Sequence, residues 1–261
     1  METHKPIKIL KVKPLEEIQK LPRDMPSYLP QMKGEVILVV APIASGKSNF
    51  ISNWFLNPEL AQGMFDTIYF LSNTAHQDDT SRFLIDEPNV IVYDDLTNDK
   101  VNNIVQSIID EQKQFEKKDM PRIAVVFDDI IGSLKINSKA FSLASRARHF
   151  NIANLFYVVQ KFKSVNNVVR NNITNLICFA GIYNNNEKKS LNEEYASVGG
   201  EEGFISLYER EVQNKKYNFL YGNLQTGKTY LNFDKLLNSN FDKTEKVYRS
   251  DENENENQDE E

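Results

Sequence analysis

Cysteine is nearly absent from this chain of 261 residues, which contains only Cys178. A single cysteine cannot form a disulfide within the chain, and it excludes a metal site built from several cysteines. Because Cys178 lies in an apolar, strand-like run, we expect it to be buried in the core. No metal-ligand spacing joins His76 to His149, so both are expected to be structural or surface residues.

Long hydrophobic runs are also missing from the sequence. No run of about eighteen or more apolar residues occurs, which excludes a membrane-spanning helix. The first residues, METHKPIKILKVKP, lack the hydrophobic region of a signal peptide. These absences predict a soluble, intracellular protein.

The net charge of −6 is concentrated at the end of the chain. Residues 241–261 contain nine acidic and three basic side chains, whereas the preceding 240 residues contain 28 of each sign. We predict that residues 241–261 form a disordered acidic tail, because SDENENENQDEE has no means of building a core. A neutral folded part does not favour nucleic-acid binding, but contacts within a pore formed by several subunits can be few and local.

The length suits one large α/β domain and is short for two. We assign this domain to residues 34–240 and an N-terminal leader to residues 1–33. Ile7, Ile9 and Val12 alternate with lysines as in a short strand. The leader is interpreted either as an additional edge strand or as an arm onto a neighbouring subunit.

The motif APIASGKS at residues 41–48 follows the phosphate-loop pattern. An apolar, β-branched run at residues 35–41 precedes it, and a helical pattern at residues 49–55 follows it. Backbone N–H groups of such a loop, together with the start of the helix, form a binding site for a triphosphate. Lys47 would supply a positive charge and Ser48 a hydroxyl for Mg²⁺.

The nucleotide-binding residues predicted from this loop are Ala41, Pro42, Ile43, Ala44, Ser45, Gly46, Lys47, Ser48 and Asn49. Ala41 stands where the pattern usually has glycine, and alanine has poorer access to positive φ. An ordinary strand-to-helix turn is the competing interpretation, which the flanking strand and helix disfavour. Residues 222–229, GNLQTGKT, match the pattern better, but no helix follows them, so we predict a β-hairpin there.

Two further strands end in polar side chains. Residues 122–127 form a buried strand followed by Asp128, which could hold the water shell of Mg²⁺, and by Asp129, which could polarise the attacking water. Residues 154–159 form another core strand, and Gln160 at its tip is a candidate γ-phosphate sensor. The spacing predicts an α/β fold of the additional-strand P-loop type, with a mostly parallel central sheet flanked by helices and a C-terminal β-hairpin.

Four stretches within residues 41–174 carry a resemblance to a known family: APIASGKS, VVFDD, RARHFNIANLFYVVQ and VVRNNIT. In this order they resemble the poxvirus-type DNA-packaging ATPases of large DNA viruses and virophages, a branch of the FtsK/HerA superfamily. The resemblance implies an ATP-driven motor that pumps double-stranded DNA into a preformed capsid. It also implies a ring of five or six subunits, capsid portal or vertex proteins as partners, and a place in the host cytoplasm, a viral factory or the virion.

The resemblance implies catalytic roles for Lys47, Asp128, Asp129, Gln160, Arg148 and Arg170. Ser48 and Asp128 are the expected Mg²⁺ ligands. Arg146, Arg148 and Arg170 all qualify by position to enter a neighbouring subunit's nucleotide site. We favour Arg170 for this trans role and Arg148 for a contact within its own subunit. Besides Ala41, the chain departs from the family at Asp129, where many members have glutamate, whose longer reach is lost.

Three other classes remain compatible with these motifs. A P-loop kinase would use the same loop but needs an acceptor pocket, and the paired aspartates and the strand-tip glutamine favour hydrolysis. A nucleotide-binding virion assembly factor would switch without turnover. A bacterial or conjugative relative would share the chemistry but normally has a larger membrane or accessory domain.

Overall fold

The computed structural model describes residues 21–200 and 202–238. The strands are β1 Glu35–Val40, β2 Thr67–Ser72, β3 Val90–Tyr93, β4 Ile123–Asp128, β5 Ile152–Val159, β6 Asn175–Phe179, β7 Phe219–Asn223, β8 Lys228–Leu231 and β9 Lys235–Leu236. The α-helices are α1 Lys47–Leu56, α2 Asp79–Ile85, α3 Asn98–Gln112, α4 Lys139–Leu143, α5 Asn167–Arg170, α6 Asn185–Tyr195 and α7 Phe204–Glu211. The strand expected at residues 7–12 and the acidic tail at residues 241–261 lie outside the described residues.

The described strands form one sheet of nine, in the order β3-β2-β4-β5-β1-β6-β7-β8-β9. The first six strands in this order are parallel, and β7, β8 and β9 continue the sheet antiparallel. The prediction of a mostly parallel sheet with a C-terminal hairpin is confirmed. β5 lies between β1 and β4, which is the additional strand that the spacing predicted.

Helices cover both faces of the central strands, which explains why these strands are continuously apolar. Along β1, Val36 and Leu38 belong to one apolar cluster, whereas Ile37 and Val39 belong to the cluster on the opposite face. Cys178 in β6 is buried, as predicted, and burial raises the pKa of its thiol. The core is thus two layers with the sheet between them.

A buried hydrogen bond joins α1 to the sheet. The indole Nε1 of Trp54, a side chain with no exposed surface, donates to Asn154 Oδ1 on β5 at 3.1 Å. Trp54 also packs edge-on against Phe156 of the same strand, with 5.9 Å between the ring centroids. These contacts hold the helix that follows the phosphate loop in a fixed position relative to β5.

Two helical patterns in the sequence differ in their outcome. Apolar residues at helical intervals after Asp95 predict a helix, and α3 begins there at Asn98, where the side chain of Thr97 accepts from the N–H of Lys100 and forms the N-cap. The sequence SKAFSLASRARHF at residues 138–150 predicts a second helix, but this prediction is wrong in part, because α4 ends at Leu143 and residues Ala147–Phe150 form a 3₁₀ turn. Asn151 has a φ of 47°, and this left-handed residue turns the chain directly into β5.

Residues 222–229 form a β-hairpin, as predicted, and not a second phosphate loop. Gly222 on β7 pairs with Thr229 on β8 across the antiparallel ladder. The hydroxyl of Thr229 is fully buried and donates to the carbonyl of Val198 at 2.5 Å. This hydroxyl is therefore committed to the fold and cannot serve a metal ion.

Glu35 begins β1 and is a buried carboxylate, 5% exposed. It accepts hydrogen bonds from the hydroxyl of Thr174 and from Nδ2 of Asn175, the latter at 2.9 Å, and so links β1 to β6. Burial raises the pKa of Glu35 above its ordinary value of 4.5, although the two hydrogen bonds oppose this. The folded chain therefore holds this proton more tightly than the unfolded chain, and stability decreases as pH rises from that value through the raised pKa.

Replacing Glu35 with glutamine removes this titration and keeps an acceptor oxygen. We expect the free energy of unfolding of the Glu35→Gln variant, relative to the unmodified chain, to rise between about pH 4 and about pH 7. Denaturant titrations of both proteins across this range measure the difference. A difference that stays constant with pH would contradict the shifted pKa.

Candidate active site

The phosphate loop connects β1 to α1. Its left-handed residues are Ala44, with a φ of 58°, and Gly46, with a φ of 101°. Ala41 is not among the described residues with positive φ, and its N–H donates to the carbonyl of Val159 at 2.8 Å. The missing first glycine is therefore not required by the backbone conformation of this loop.

Unpaired polar groups face the loop. α1 begins at Lys47, and the first N–H groups of a helix have no partner within the helix. The hydroxyl of Ser45 is buried and has no hydrogen-bond partner. Such donors at a helix start form an anion site, which fits the phosphates of a nucleotide.

Lys47 meets both acidic residues at the carboxyl edge of the sheet. Its ammonium group is paired with Asp129 and lies 3.6 Å from Oδ1 of Asp128. The acids lie at the end of β4, and β5 separates β4 from β1, the strand that precedes Lys47. One strand therefore lies between the lysine and the acids. The three parallel strands end at the same edge, and this brings the groups together.

Asp128 is a buried carboxylate, 6% exposed. Ser72, the last residue of β2, donates to its Oδ2 at 2.9 Å, whereas its Oδ1 has no hydrogen-bond partner. Burial raises the pKa of Asp128, and the charge of Lys47 and the bond from Ser72 oppose this rise. One carboxylate oxygen therefore remains available for a cation.

Asp129 and Gln160 are in direct contact. Nε2 of Gln160 donates to Oδ2 of Asp129 at 2.8 Å. Asp129 has a φ of 55°, and its N–H donates to the carbonyl of Val158 at 3.0 Å, so its strained backbone is tied to β5. Gln160 follows the last residue of β5, as the sequence predicted.

Asp78, the N-cap residue of α2, was not predicted as a site residue. It accepts from the N–H of Thr80 at 3.0 Å and from Oγ of Ser81 at 3.1 Å, and the hydroxyl of Ser48 also interacts with its carboxylate. Burial alone would raise the pKa of Asp78, but these hydrogen bonds hold it below its ordinary value. Asp78 thus orients the hydroxyl that was predicted as an Mg²⁺ ligand.

The sequence contained only weak signals for Asp78 and Ser72. The segment SNTAHQDDT after β2 is polar, and Asp followed by Thr and Ser is typical of a helix N-cap. The pattern does not show that this cap lies beside the phosphate loop, because that contact depends on how β2 and α2 pack.

A cleft of about 880 Å³ extends from the phosphate loop along α1. The predicted nucleotide-binding residues that line it are Pro42, Ala44, Gly46, Lys47, Ser48 and Asn49. Ala41 is buried below the loop, and Ile43 projects outward with 80% of its surface exposed. The opposite wall comes from the region of β7 and β8.

The predicted arginines do not enter this cleft. Arg148 packs against Gly34, at the amino end of β1, because a Cβ on Gly34 would lie 2.6 Å from Cβ of Arg148. The six residues of β1 span about 20 Å, so a contact of Arg148 with a triphosphate in its own subunit does not fit this position. The expected contact of Arg148 with the nucleotide of its own subunit is therefore not compatible with this structure.

Arg170 is engaged within its own chain. Its guanidinium pairs with Glu194, and its Cζ lies 5.3 Å from the ring centroid of Phe162. Arg146 lies over the ring of Phe150 at 5.1 Å. A trans role for these arginines remains a prediction.

Among residues 21–200 and 202–238, no group of three or more His, Cys, Asp or Glu side chains could hold a metal ion. His76 and His149 are exposed, as expected. Mg²⁺ in phosphate-binding sites is held by one or two protein groups together with substrate phosphates. Ser48 and Asp128 fit that kind of site, because Oδ1 of Asp128 has no hydrogen-bond partner.

A model of the family described as Poxvirus A32 protein matches residues 33–241. The chain belongs to this family. The resemblance read from the four motifs is thereby confirmed. No curated protein sequence matches the chain.

Solved structures similar to this A32 family member include B204, the DNA-packaging ATPase from Sulfolobus turreted icosahedral virus, with a TM-score of 0.56 and 17% identity over 77% of this chain and 97% of that chain. The genome-packaging NTPase B204 of Sulfolobus turreted icosahedral virus 2, in complex with ATP-gammaS, has a TM-score of 0.56 and 16% identity, covering 76% and 97% of the two chains. EssC (ATPases 2 and 3) from Geobacillus thermodenitrificans has a TM-score of 0.55 and 13% identity over 92% of this chain and 53% of that chain.

These likenesses confirm the P-loop ATPase fold. No helix among the described residues combines the length and apolar character needed to cross a membrane.

Each match to the phosphate-loop pattern contains a lysine, and replacing the two lysines with alanine should have different effects on ATP turnover. Lys47→Ala removes the charge between the two acids and should lower ATP turnover at least about a hundredfold. Lys228→Ala, in the hairpin, should leave turnover nearly unchanged. Phosphate release by the purified variants is the measurement, and the reverse order of effects would contradict the assignment of the loop.

Asp78→Asn removes the charge that accepts from Ser48, while asparagine remains a good N-cap. We expect the Mg²⁺ concentration for half-maximal ATP turnover to rise severalfold, with the thermal midpoint nearly unchanged. Asp79→Asn, at the exposed neighbouring position, is the matched control. Equal Mg²⁺ dependence in both variants would exclude a positioning role for Asp78.

Proposed function

We propose that this chain is an ATP-hydrolysing motor that uses Mg²⁺ to translocate double-stranded viral DNA into a preformed capsid. The observation that carries this proposal is the convergence of Lys47, Asp128, Asp129 and Gln160 beside a phosphate loop. Membership of the A32 family supports the packaging role. The solved structures of B204 in complex with ATP-gammaS and AMPPCP support nucleotide binding by this fold.

The loop and Lys47 bind the phosphates in this proposal. In the described structure the ammonium of Lys47 is neutralised by Asp129. A bound triphosphate offers stronger acceptors, so the ammonium of Lys47 exchanges its partner Asp129 for the β- and γ-phosphates. This exchange releases the carboxylate of Asp129 from its ion pair.

Asp129 and Gln160 then act on the attacking water. The released carboxylate can accept a proton from water or orient it, and Gln160 already donates to the same carboxylate. Gln160 lies between the acids and the phosphate loop, on the tip of β5, where it can sense the γ-phosphate. Loss of that phosphate on hydrolysis would change the hydrogen bonds of Gln160.

Ser48 and Asp128 would hold Mg²⁺, which supplies positive charge that offsets the charge developing on the phosphates. Oδ1 of Asp128, which has no hydrogen-bond partner, and the hydroxyl of Ser48 would be the protein ligands. Ser72 and Asp78 keep these two groups oriented through their hydrogen bonds. Both positioning residues lie at or just after the end of β2.

The assembly is proposed to be a homo-oligomeric ring of five or six subunits. Such a ring places an arginine of one subunit at the nucleotide of the next, and Arg170 remains the favoured candidate. To act in trans, Arg170 has to exchange its pairing with Glu194 for the neighbouring site. We further propose that the ring docks on capsid portal or vertex proteins, in the host cytoplasm, in a viral factory or on the virion.

The domain assignment is part of this proposal. In this assignment residues 34–240 are the ATPase domain, residues 1–33 a leader or arm, and residues 241–261 an acidic tail. The family match over residues 33–241 agrees with the span of the domain.

ATP turnover measured with and without double-stranded DNA tests the motor. We expect DNA to raise turnover severalfold in the unmodified chain and to have no effect on Lys47→Ala, because the coupling requires a bound triphosphate. Transfer of phosphate to a small acceptor would identify a kinase instead. Binding of ATP without turnover, with or without DNA, would identify an assembly factor.

A further inference from the structure

The cleft beyond the phosphate loop has an aromatic wall that the hydrolytic machinery does not use. Phe219 on β7 and Phe233 after β8 line it, with 5.1 Å between their ring centroids. Both rings also pack against Phe50 of α1, at 5.3 Å and 6.0 Å. These half-buried rings therefore form a fixed apolar floor.

Tyr217 differs from these two rings because 60% of its surface is exposed. It precedes β7 and lines the same cleft. A Cβ on Gly46 would lie 3.2 Å from Cδ1 of Tyr217, so the phenol ring reaches the residue just before Lys47. The ring, with Nζ of Lys216 4.7 Å from its centroid, thus borders the site expected for the phosphates.

The sheet order determines on which side a nucleoside would lie. The acids and Gln160 are on the side of β1 that faces β5 and β4. A triphosphate whose γ-phosphate points at these groups must extend its nucleoside to the other side of β1. That side is formed by β6 and β7, where the ring of Tyr217 lies.

The backbone around this aromatic wall is strained. Tyr217, Asn232 and Phe233 have φ values of 71°, 52° and 67°, in the left-handed region that large side chains rarely adopt. The side chain of Asn232 accepts from the N–H of Phe219 at 2.9 Å and donates to Oδ1 of Asn218 at 3.2 Å. This brace holds the segment from Tyr217 to Phe219 in place, and strain maintained in this way is typical of ligand clamps.

We propose that Tyr217 stacks on the base of a bound purine nucleoside triphosphate, with Phe219 and Phe233 below it. The inference rests on the proposed nucleotide site, because it places the phosphates in the loop. A cleft of about 880 Å³ is in the size range of nucleotide-sized ligand sites. A purine covers more of the exposed ring than a pyrimidine and is therefore preferred.

Equilibrium binding of ATP, CTP and inorganic tripolyphosphate to the full chain tests this subsite. In the unmodified chain, ATP should bind roughly tenfold more tightly than tripolyphosphate, with CTP between them. Tyr217→Ala should weaken ATP roughly tenfold and leave tripolyphosphate unchanged, whereas Tyr217→Phe should retain the affinity for ATP. Tyr183→Ala is the matched control, because Tyr183 is 62% exposed and does not line the cleft.

Equal affinity of the unmodified chain for ATP and tripolyphosphate would overturn the stacking proposal without any variant. An equal loss for both ligands in Tyr217→Ala, with an unchanged thermal midpoint, would also overturn it. Lys47→Ala should weaken both ligands and so identifies the phosphate half of the site. If Tyr217→Ala selectively weakens ATP but DNA does not stimulate turnover, the base subsite stands and the motor proposal fails.

Discussion

The ion pairing of Lys47 with Asp128 and Asp129 depends on a strand to which none of the three belongs. β5 separates β1 from β4, and the carboxyl ends of all three strands lie at one edge of the sheet. The lysine side chain reaches across the tip of β5 to the acids. The same tip presents Gln160, so the inserted strand both separates the two motifs and supplies the group between them.

The rest of the molecule keeps these strand ends in register. The apolar clusters on both faces of the sheet bury β1, β4 and β5 completely. Trp54 fixes α1 to β5 through Asn154, and Glu35 links β1 to β6. The buried oxygen atoms without a hydrogen-bond partner include Oγ of Ser45 and Oδ1 of Asp128, where a ligand would satisfy them.

Most of the fold was predictable because the central strands are continuous apolar runs that end in polar residues. The exceptions lie in the connections. The helix predicted over residues 138–150 ends early because Asn151 adopts a left-handed conformation that periodicity does not reveal. The missing glycine at Ala41 has little consequence, since positive φ is carried by Ala44 and Gly46.

The site was predicted only in part, for a physical reason. A residue whose role follows from its position at the end of a strand, such as Lys47, Asp128 or Gln160, can be recognised from local pattern. Ser72 and Asp78 act through contacts with residues far away in the chain, and no local pattern contains those contacts. Arg148 is the opposite case, a residue that a motif match assigned to the site although it lies elsewhere. It packs at the amino end of β1, whereas the nucleotide site lies at the carboxyl end.

The sequence by itself determined the strands, the phosphate loop and the two aspartates, because burial and backbone preference act over a few neighbouring residues. Only the tertiary structure decided that β5 is the strand between the two motifs, that Asp78 lies beside Ser48, and that Tyr217 borders the phosphate loop. These relations depend on the order in which strands pair and helices pack. Strand order is a property of the whole chain, since each pairing buries side chains contributed by distant segments.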